Sequence, residues 1–434
     1  MATGSTPTYT TVSSLANLYE VTNTAVKTGI KLVTEESKWF RDYPREKIVV
    51  SGNENRIPLV LTYPTGPGMI VDGGYESTLT SPSPTYGTFA PVQMNKRYSY
   101  TGLAGALDNR ARSAMIERQT AFQAAMAASS MGRAIGLQTY GQSSGTVAAV
   151  LTTGSASATQ VIPLKNAFGS TVWPGSTTTA QQTYISSLFR VNDVVALIHS
   201  AAILEFGTVT AAPSASAGVG SIDVTFNSSI TPTAGDLIVF ANIVTDATLT
   251  GTDQNNWPVG FTEVLTAASV HGVSHSGGST NYATWFPGYS NTSGGVRFGY
   301  LIKEAMANGI WNNAGVQMDR MIISQGVRRD TIDGQRGALR YNDSEELDIE
   351  GDLKGFQYQT SQLVPPGTAI GYYSQAYSKI ELSNQPDNEM GPSIFKLDKV
   401  QDRSAMAASY DYFYARICSS RAAFGYATGL SESP

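Results

Sequence analysis

The chain has 434 residues, of which 41 % are hydrophobic and only 15 % are charged, and its net charge is −5. A chain of this length can hold two or three core units, and the apolar fraction is sufficient to build them. The acidic balance, with no long run of basic residues, excludes a protein that grips nucleic acid through many phosphate contacts. Ser, Thr, Gly and Asn take the place of charge, which favours β-rich structure with many turns.

The N-terminal segment MATGSTPTYTTVSS has no cationic region followed by an apolar one, so no signal peptide is predicted. The uncharged runs at 134–164 and 166–189 are rich in Ser, Thr, Gln and Gly, and we expect no membrane segment there. The single cysteine, Cys418, excludes an internal disulfide and predicts a small buried residue in a protein made in a reducing compartment.

The N-terminal part of the chain predicts extended pieces that cannot stabilise themselves. Residues 1–46 predict an arm with a short helix, which would pack on something else. Residues 47–100 predict a long hairpin, with RIPLVLTYP as one strand and FAPVQMNKRYSYTG as the returning strand. The Gly- and Pro-rich segment between them packs poorly on itself, so we expect it to be disordered or held by a neighbouring molecule.

The stretch LDNRARSAMIERQTAFQAAMAASSMGRAI, at 107–135, predicts a long helix. Asp108 is the candidate N-cap. One narrow, alanine-rich face is formed at spacings of four, seven and four by Ala111, Met115, Phe122 and Met126. Such a helix would be about 40 Å long, and a flat partner could lie close along it.

After Gly141 the texture becomes β-rich. The runs FRVNDVVALI and TAGDLIVFANIV each place an aspartate, Asp193 and Asp236, before apolar residues, and they predict a small β-rich subdomain without forming a true repeat. Further along, the chain predicts a loop-rich segment at 245–295, a helix at 297–308, a strand at 318–324, strand–proline turn–strand at 353–373, and an aromatic-rich C-terminal strand or hairpin.

The three histidines are the first candidates for chemistry. His271 and His275 are four residues apart, a spacing that suits zinc when both lie on a helix. The context HGVSHSGGS is broken by glycines and has no glutamate after the first histidine, so we expect an exposed loop there and no metal site. The third histidine is His199.

Other candidate motifs are incomplete. Ser143 and Ser144 in GQSSGT come closest to a nucleophile elbow, but they follow a predicted helix, whereas an elbow follows a strand. The segment GVGSID at 218–223 lacks the later glycine and the lysine of a phosphate loop.

An acidic cluster alternates with apolar residues and predicts a solvated strand face, because its spacing does not match a calcium loop. Its members are Glu345, Glu346, Asp348, Glu350 and Asp352. We therefore predict no catalytic, cofactor-binding or metal residue, no cofactor, and no enzymatic activity.

The order of these features resembles the major capsid protein of tailed bacteriophages, which has the Hong Kong ninety-seven type fold. The residues that carry the resemblance are the arm, the hairpin, the helix with its exit GLQTYGQSSGTV, the segment GFTEVLTAASVHGVSHSGGSTNYATWFPGYSN with Trp285, and MDRMIISQGVRRDTIDGQRGALRY. The resemblance implies an α+β fold with an extended β-hairpin loop, a long spine helix with a peripheral β-sheet, and a central axial α/β domain carrying a β-rich insertion. The implied boundaries are N-terminal arm 1–46, extended loop 47–100, spine helix of the peripheral domain 101–140, axial domain 141–335 with the insertion at about 200–245, peripheral-domain strands 336–395 and C-terminal return to the axial domain 396–434.

The same resemblance implies a function in assembly. The chain would self-assemble into hexamers and pentamers that form the icosahedral head shell, through a procapsid that matures, and enclose double-stranded DNA by weak, non-specific contact. Its partners would be copies of itself, a separate scaffolding protein, a portal and decoration proteins. Shells would form in the host cytoplasm and end in the virion. Between Lys47 and Lys96 the loop has no lysine, so we expect no isopeptide crosslink from its tip, in contrast to some relatives.

Other classes of protein share part of this texture. A β-rich phage tail, fibre or decoration protein would be rich in Thr, Ser and Gly, but it would rarely need a single long helix. An encapsulin-type compartment shell is a close variant of the capsid hypothesis, although this chain is long for one. A hydrolase with an unrecognised site is the third alternative.

Overall fold

The structure is a computed structural model. It describes residues 55–59, 85–89, 91–101, 130, 132–166, 179–200, 202–241, 257–274, 285–292, 295–339, 357–361, 363–382, 393–394, 398–399 and 405–432. The strands are β1 Asn55–Leu59, β2 Thr85–Phe89, β3 Val92–Thr101, β4 Thr146–Val150, β5 Ser157–Asn166, β6 Val194–His199, β7 Ala202–Ala211, β8 Ser221–Ile230, β9 Leu237–Phe240, β10 Ser269–Val270, β11 Val273–Ser274, β12 Tyr289–Asn291, β13 Arg320–Ile323, β14 Gln357–Thr360, β15 Ala369–Tyr372, β16 Tyr377–Leu382, β17 Ser393–Ile394, β18 Asp398–Lys399, β19 Ala405–Cys418 and β20 Phe424–Ala427. The helices are α1 at 132–140, α2 Thr179–Ser187, α3 Phe261–Thr266, α4 Tyr300–Ala314 and α5 Gln325–Leu339.

One mixed sheet has five strands in the order β12-β20-β15-β13-β14. Successive residues of a strand point to opposite faces. Here one face carries large side chains, such as Ile370, Tyr372 and Phe424, and the other carries small residues, such as Gly371 and Gly425. Both faces are buried, the first against α3 and the second against α4.

The small-residue face lets α4 lie very close to the sheet. A Cβ at Gly371 would overlap Sδ of Met306, and a Cβ at Gly309 would lie 2.7 Å from the carbonyl oxygen of Gly288. The side-chain amide of Asn313 donates to the Gly288 carbonyl at 3.0 Å. The position of α4 is therefore determined by backbone contact as well as by apolar packing.

An aromatic cluster fills the other face of the sheet. The ring of Phe261, at the start of α3, lies with its centroid 4.9 Å from that of Tyr377 and 5.2 Å from that of Tyr372. Segment 245–295, which the sequence predicts to be loop-rich, thus contains a short helix. GFTEVL forms this helix because Phe261, Val264 and Leu265 all face the core.

The long strand β19 joins the two ends of the chain. Over ten residue pairs it is antiparallel to β3, from Thr101 opposite Ala405 to Val92 opposite Tyr414. Its other edge pairs with β16, β17 and β18. The predicted returning strand is therefore real, but its partner is the C-terminal strand and not the other leg of the hairpin.

The first leg of the predicted hairpin pairs instead with β2. Strands β1 and β2 are antiparallel, with Asn55 opposite Phe89. Ile57 and Leu59 are both buried in the main core of their own chain. The expectation that segment 47–100 depends on a neighbouring molecule is thus wrong for β1 and β2, which pack on their own chain. Residues 60–84 lie outside the described residues.

A closed six-stranded antiparallel barrel, in the order β4-β5-β8-β7-β6-β9, follows α1. Its interior is lined by alternate residues such as Val195, Val209 and Val224. A Cβ at Gly207 would lie 2.6 Å from Cγ1 of Val224, so a glycine is needed there. The barrel begins at Thr146, so it is larger than the small β-rich subdomain that the runs FRVNDVVALI and TAGDLIVFANIV predicted. The strands TVAAV and SATQVIPLKN had been missed because Thr, Ser and Ala dilute their β signal.

Several predictions concern residues that the structure does not describe, including the arm at 1–46, the acidic cluster at 345–352 and most of the helix predicted at 107–135. At the C-terminal end of that helix, residues 132–135 are helical and α1 continues to 140. The guanidinium of Arg416, in β19, donates to the carbonyl oxygen of Ile135 at 3.0 Å and to Oγ1 of Thr139 at 2.7 Å. Among the described residues there is no helix of the length and hydropathy needed to span a bilayer.

Candidate functional site

His271 lies in the turn of the short β10–β11 hairpin and is buried, so the prediction of an exposed loop is wrong at this position. His271 and Gly272 have φ of 54° and 75°, the combination that a type I′ turn requires. The imidazole Nε2 accepts the backbone N–H of Cys418 at 3.0 Å, and the His271 carbonyl accepts the Thr88 N–H at 2.9 Å. Burial lowers the pKa of His271 to about 4, so the ring is neutral at pH 7. His271 therefore connects β2 to β19.

Cys418 has no features of a nucleophile. It is fully buried, and burial raises the pKa of its thiol to about 12. The neighbouring Arg421 is also buried, and its Nε donates to the carbonyl oxygen of Val264 at 2.6 Å. Burial lowers the pKa of Arg421, and the nearby Glu263 carboxylate partly compensates. These groups hold α3 against the C-terminal strands.

Asp193 and Asp236 close two equivalent turns of the barrel. The carboxylate of Asp193 accepts the Arg190 N–H at 2.7 Å, and that of Asp236 accepts the Thr233 N–H at 2.8 Å. In both turns the aspartate N–H donates back to the carbonyl three residues earlier at 3.0 Å. The residue before each aspartate has positive φ: Asn192 at 70° and Gly235 at 98°. The similarity of the two runs around Asp193 and Asp236 therefore reflects one turn type that occurs twice, before the paired strands β6 and β9.

Each of these aspartates has one further partner. Asp193 forms an ion pair with Arg133 of α1 at 3.0 Å, which ties the helix to the barrel. Asp236 lies 2.7 Å from Nδ1 of His199, where β6 ends beside the start of β9. Since Asp236 also caps its own turn, the His199–Asp236 pair is part of the barrel framework.

The candidate serines have structural contacts. The backbone N–H of Ser143 donates to Oε2 of Glu263 at 2.7 Å, and Oγ of Ser144 lies 3.2 Å from Oγ1 of Thr146. Within the described residues, no histidine is among the hydrogen-bond partners of either hydroxyl. In the glycine-containing segment 218–223, Asp223 accepts hydrogen bonds from Oγ of Ser214 and from the Ala215 N–H, the latter at 3.0 Å, and so closes the β7–β8 loop.

The structure brings no candidate metal ligands together in the part of the chain that it describes. His275 and the acidic cluster lie outside that part, so the predictions made for them stay predictions.

The outer face of α4 exposes several large apolar side chains. We define the α4 stripe as Tyr300, Leu301, Glu304 and Trp311. The side chains of Tyr300, Leu301 and Trp311 are 58 %, 80 % and 59 % exposed. The first, third and fourth members recur at spacings of four and seven, so they lie on one side of the helix over about 16 Å.

Sequence reasoning missed this stripe because the predicted helix ended at 308, before Trp311. The helix continues past 308 because Gly309 packs against the backbone of Gly288. It ends at Gly315, which adopts φ 66° and donates its N–H to the Trp311 carbonyl at 2.9 Å. Trp311, three residues after the predicted end and in register with Tyr300 and Glu304, was the signal that could have revealed the stripe.

Helix α5 begins beside the N-terminal end of α4. Nε of Arg297 forms an ion pair with Asp330 at 3.0 Å, and Val327 packs in the same core as Ile302. The outward side of α5 presents Arg328 and Arg329, with Asp333 one turn further along; all three are exposed. An apolar surface with one acid thus adjoins a surface with two arginines and one aspartate.

Comparison with known proteins gives structural similarities alone. No family model and no curated protein sequence matches the chain. The similar solved structures are mostly from phage capsids and mostly cover 89 % to 100 % of the chain. A chain of Mycobacterium phage Patience matches 100 % of this chain and 97 % of its own length, at 9 % identity and a TM-score of 0.43. The satellite phage P4 procapsid with its size determination protein matches 93 % of this chain and 99 % of its own, at 8 % identity and a TM-score of 0.38.

An encapsulin complex from Synechococcus elongatus matches 33 % of this chain at 11 % identity and a TM-score of 0.26, and the present chain spans 54 % of that one. At TM-scores below 0.5, none of these likenesses carries an argument about function.

Proposed function

We propose that the chain is a major capsid protein of a tailed phage, which self-assembles into hexamers and pentamers of an icosahedral head shell. The proposal begins from the order of features in the sequence, which resembles that family from the arm to the C-terminal return. In this proposal the shell encloses double-stranded DNA, and the N-terminal extended loop of each copy lies on its neighbours.

The observation that carries the proposal is the combination of a closely packed centre with exposed apolar side chains on α4. Trp311 and Leu301 are 59 % and 80 % exposed on a helix whose opposite face touches backbone. Large exposed apolar side chains on a rigid element are typical of protein–protein contact sites. A shell protein needs such surfaces, because each copy must be held by its neighbours.

The proposed role is structural. The described histidines, serines and cysteine that were candidates for catalysis support this proposal, because their contacts are structural. His271 and the His199–Asp236 pair hold strands together, and Cys418 is a buried thiol with a raised pKa. Scaffolding, portal and decoration proteins are proposed as partners, DNA contact is proposed to be weak, and assembly in the host cytoplasm is proposed to end in the virion.

The experiment that tests the proposal is electron microscopy of the chain produced in bacteria, alone and together with its scaffolding protein. Closed shells built of hexameric and pentameric units are expected. Rods, fibres or discrete trimers would instead support a tail, fibre or decoration protein, and small particles with a saturable hydrolytic activity would support an enzyme.

A further inference from the structure

We propose that the α4 stripe of one copy packs against the outward side of α5 of the next copy, with Glu304 facing Arg328 and Arg329. This inference rests on the proposed function and deepens it, because it names two complementary surfaces through which copies meet. The occupant of the stripe is a second copy of this chain.

The composition of the stripe indicates a buried contact. Among the exposed positions of α4, only Glu304 carries a charge, whereas two aromatic residues and a leucine project into solvent. Interface centres are depleted in charge and enriched in Tyr and Trp. The ion pairs found within the described residues do not include Glu304.

Charge complementarity identifies the partner surface. Arg328, Arg329 and Asp333 are exposed on α5, the helix adjacent to α4, and together they carry a net positive charge. A two-fold contact centred on the stripe would bring two Glu304 carboxylates together, which is unfavourable. A contact from stripe to α5 brings opposite charges together.

The two surfaces cannot face each other within one copy. Thr331 Oγ1 donates to the carbonyls of Val327 at 2.8 Å and Phe298 at 3.3 Å, and Arg297 binds Asp330, so α5 is fixed beside the α4 N-terminus. Two neighbouring outward surfaces of one rigid unit meet face to face only between copies. Such a head-to-tail contact repeats around an axis and closes into a ring when the rotation permits.

Chemical crosslinking tests the contact directly. The double variant E304C/R328C is assembled and treated with a short bismaleimide, since an ion pair separates the backbones further than a disulfide spans. Cys418 is buried, so it contributes little background. We expect a ladder of covalent dimers and higher oligomers, and no ladder from E304C or R328C alone.

Charge exchange supplies a second readout. E304R alone is expected to raise the concentration needed for assembly by about tenfold or more, because like charges then face each other. E304R combined with R328E and R329E is expected to restore assembly. L301R should block assembly, whereas the matched control L204R, at a leucine that is 41 % exposed on the barrel, should not.

The outcomes separate the two proposals. If the unaltered chain forms no shells, both fail. If shells form but E304C/R328C stays monomeric on a denaturing gel, crosslinks within one chain, or is matched by E304C alone, the contact proposed here is wrong and the shell function stands. Failure of the triple charge exchange to restore assembly would also overturn the contact.

Discussion

The side chain of Glu432 packs directly against the backbone of Gly326, and a Cβ at Gly326 would lie 2.7 Å from Cδ of Glu432. The Glu432 carboxylate accepts the Ser324 hydroxyl at 2.6 Å and the Gly367 N–H at 2.6 Å. It lies at the N-terminus of α5, where a negative charge is stabilised by the helix dipole. The C-terminal segment thus holds α5, the helix that we propose as an assembly surface.

Replacing Gly326 by alanine should therefore destabilise the protein. Alanine normally stabilises a helix by about 1 kcal/mol relative to glycine. Here the added methyl meets Glu432, and we expect a net loss of about 1–3 kcal/mol in the free energy of unfolding, measured by urea denaturation. E432A alone should also destabilise, because two buried donors lose their acceptor.

The double variant G326A/E432A provides the control for this relationship. It should lose less stability than the two single variants added together, since removal of the carboxylate leaves space for the methyl group. Strict additivity would show that the two sites do not compete for space.

Stability should fall in acid because of His271. Its pKa is about 4 in the folded protein, against 6.5 for the free side chain, so the unfolded chain binds the proton more readily between these values. The stabilisation is complete above pH 6.5, falls as the pH drops towards 4, and amounts to up to about 3 kcal/mol. In H271N, whose side chain tolerates positive φ, this part of the pH dependence should be absent from urea titrations at pH 7 and pH 4.

The matched control is H199N, which removes the barrel imidazole and leaves His271 in place. An acid-dependent loss of the same size in the wild type and in H271N would contradict the role given to His271.

The close contact between Gly309 of α4 and the backbone of Gly288 gives another test. In G309A the new Cβ would lie 2.7 Å from the Gly288 carbonyl oxygen, so α4 must move away from the sheet. We expect a loss of about 1–3 kcal/mol in unfolding free energy despite the better helix propensity of alanine. The control is G299A, at the N-cap, where no atom lies within 4 Å of the added Cβ. Equal stability of the two variants in thermal melts would argue against the backbone contact.

Arg133 should not be replaceable by lysine. Its guanidinium contacts both carboxylate oxygens of Asp193, at 3.2 Å and 3.0 Å, and also the carbonyl of Leu188. A lysine ammonium cannot reproduce this planar set of donors, so R133K should lower the unfolding free energy by about 1–2 kcal/mol. R190K, at an exposed arginine of the adjacent turn, should change it little, and an equal loss in both variants would oppose this account.

Individual elements were predictable from the sequence where a run of β-branched or aromatic residues ended at turn residues. The run MDRMIIS contains β13, the proline turn at 365–366 separates β14 from β15, and the aromatic C-terminal run forms β19. Their pairing was not predictable, because β3 finds its partner at the opposite end of the chain. Contacts between distant segments leave no periodic signal in either segment.

The surface of α4 shows the same limit at the level of the site. The hydrophobic pattern located the helix but could not distinguish buried from exposed apolar residues, since Leu301 is exposed and Ile302 is buried. His271 is a further case: the segment HGVSHSGGS resembles an exposed loop because of its glycines and serines, and His271 is buried because β2 and β19 bond to it.

Electron microscopy of particles assembled from the full chain tests the central claim most directly. The account predicts closed shells in which hexamers and pentamers of this chain repeat, with the segment at 60–84 of one copy in contact with the next. A monomeric particle in which the whole of segment 47–100 is folded onto its own chain would contradict it.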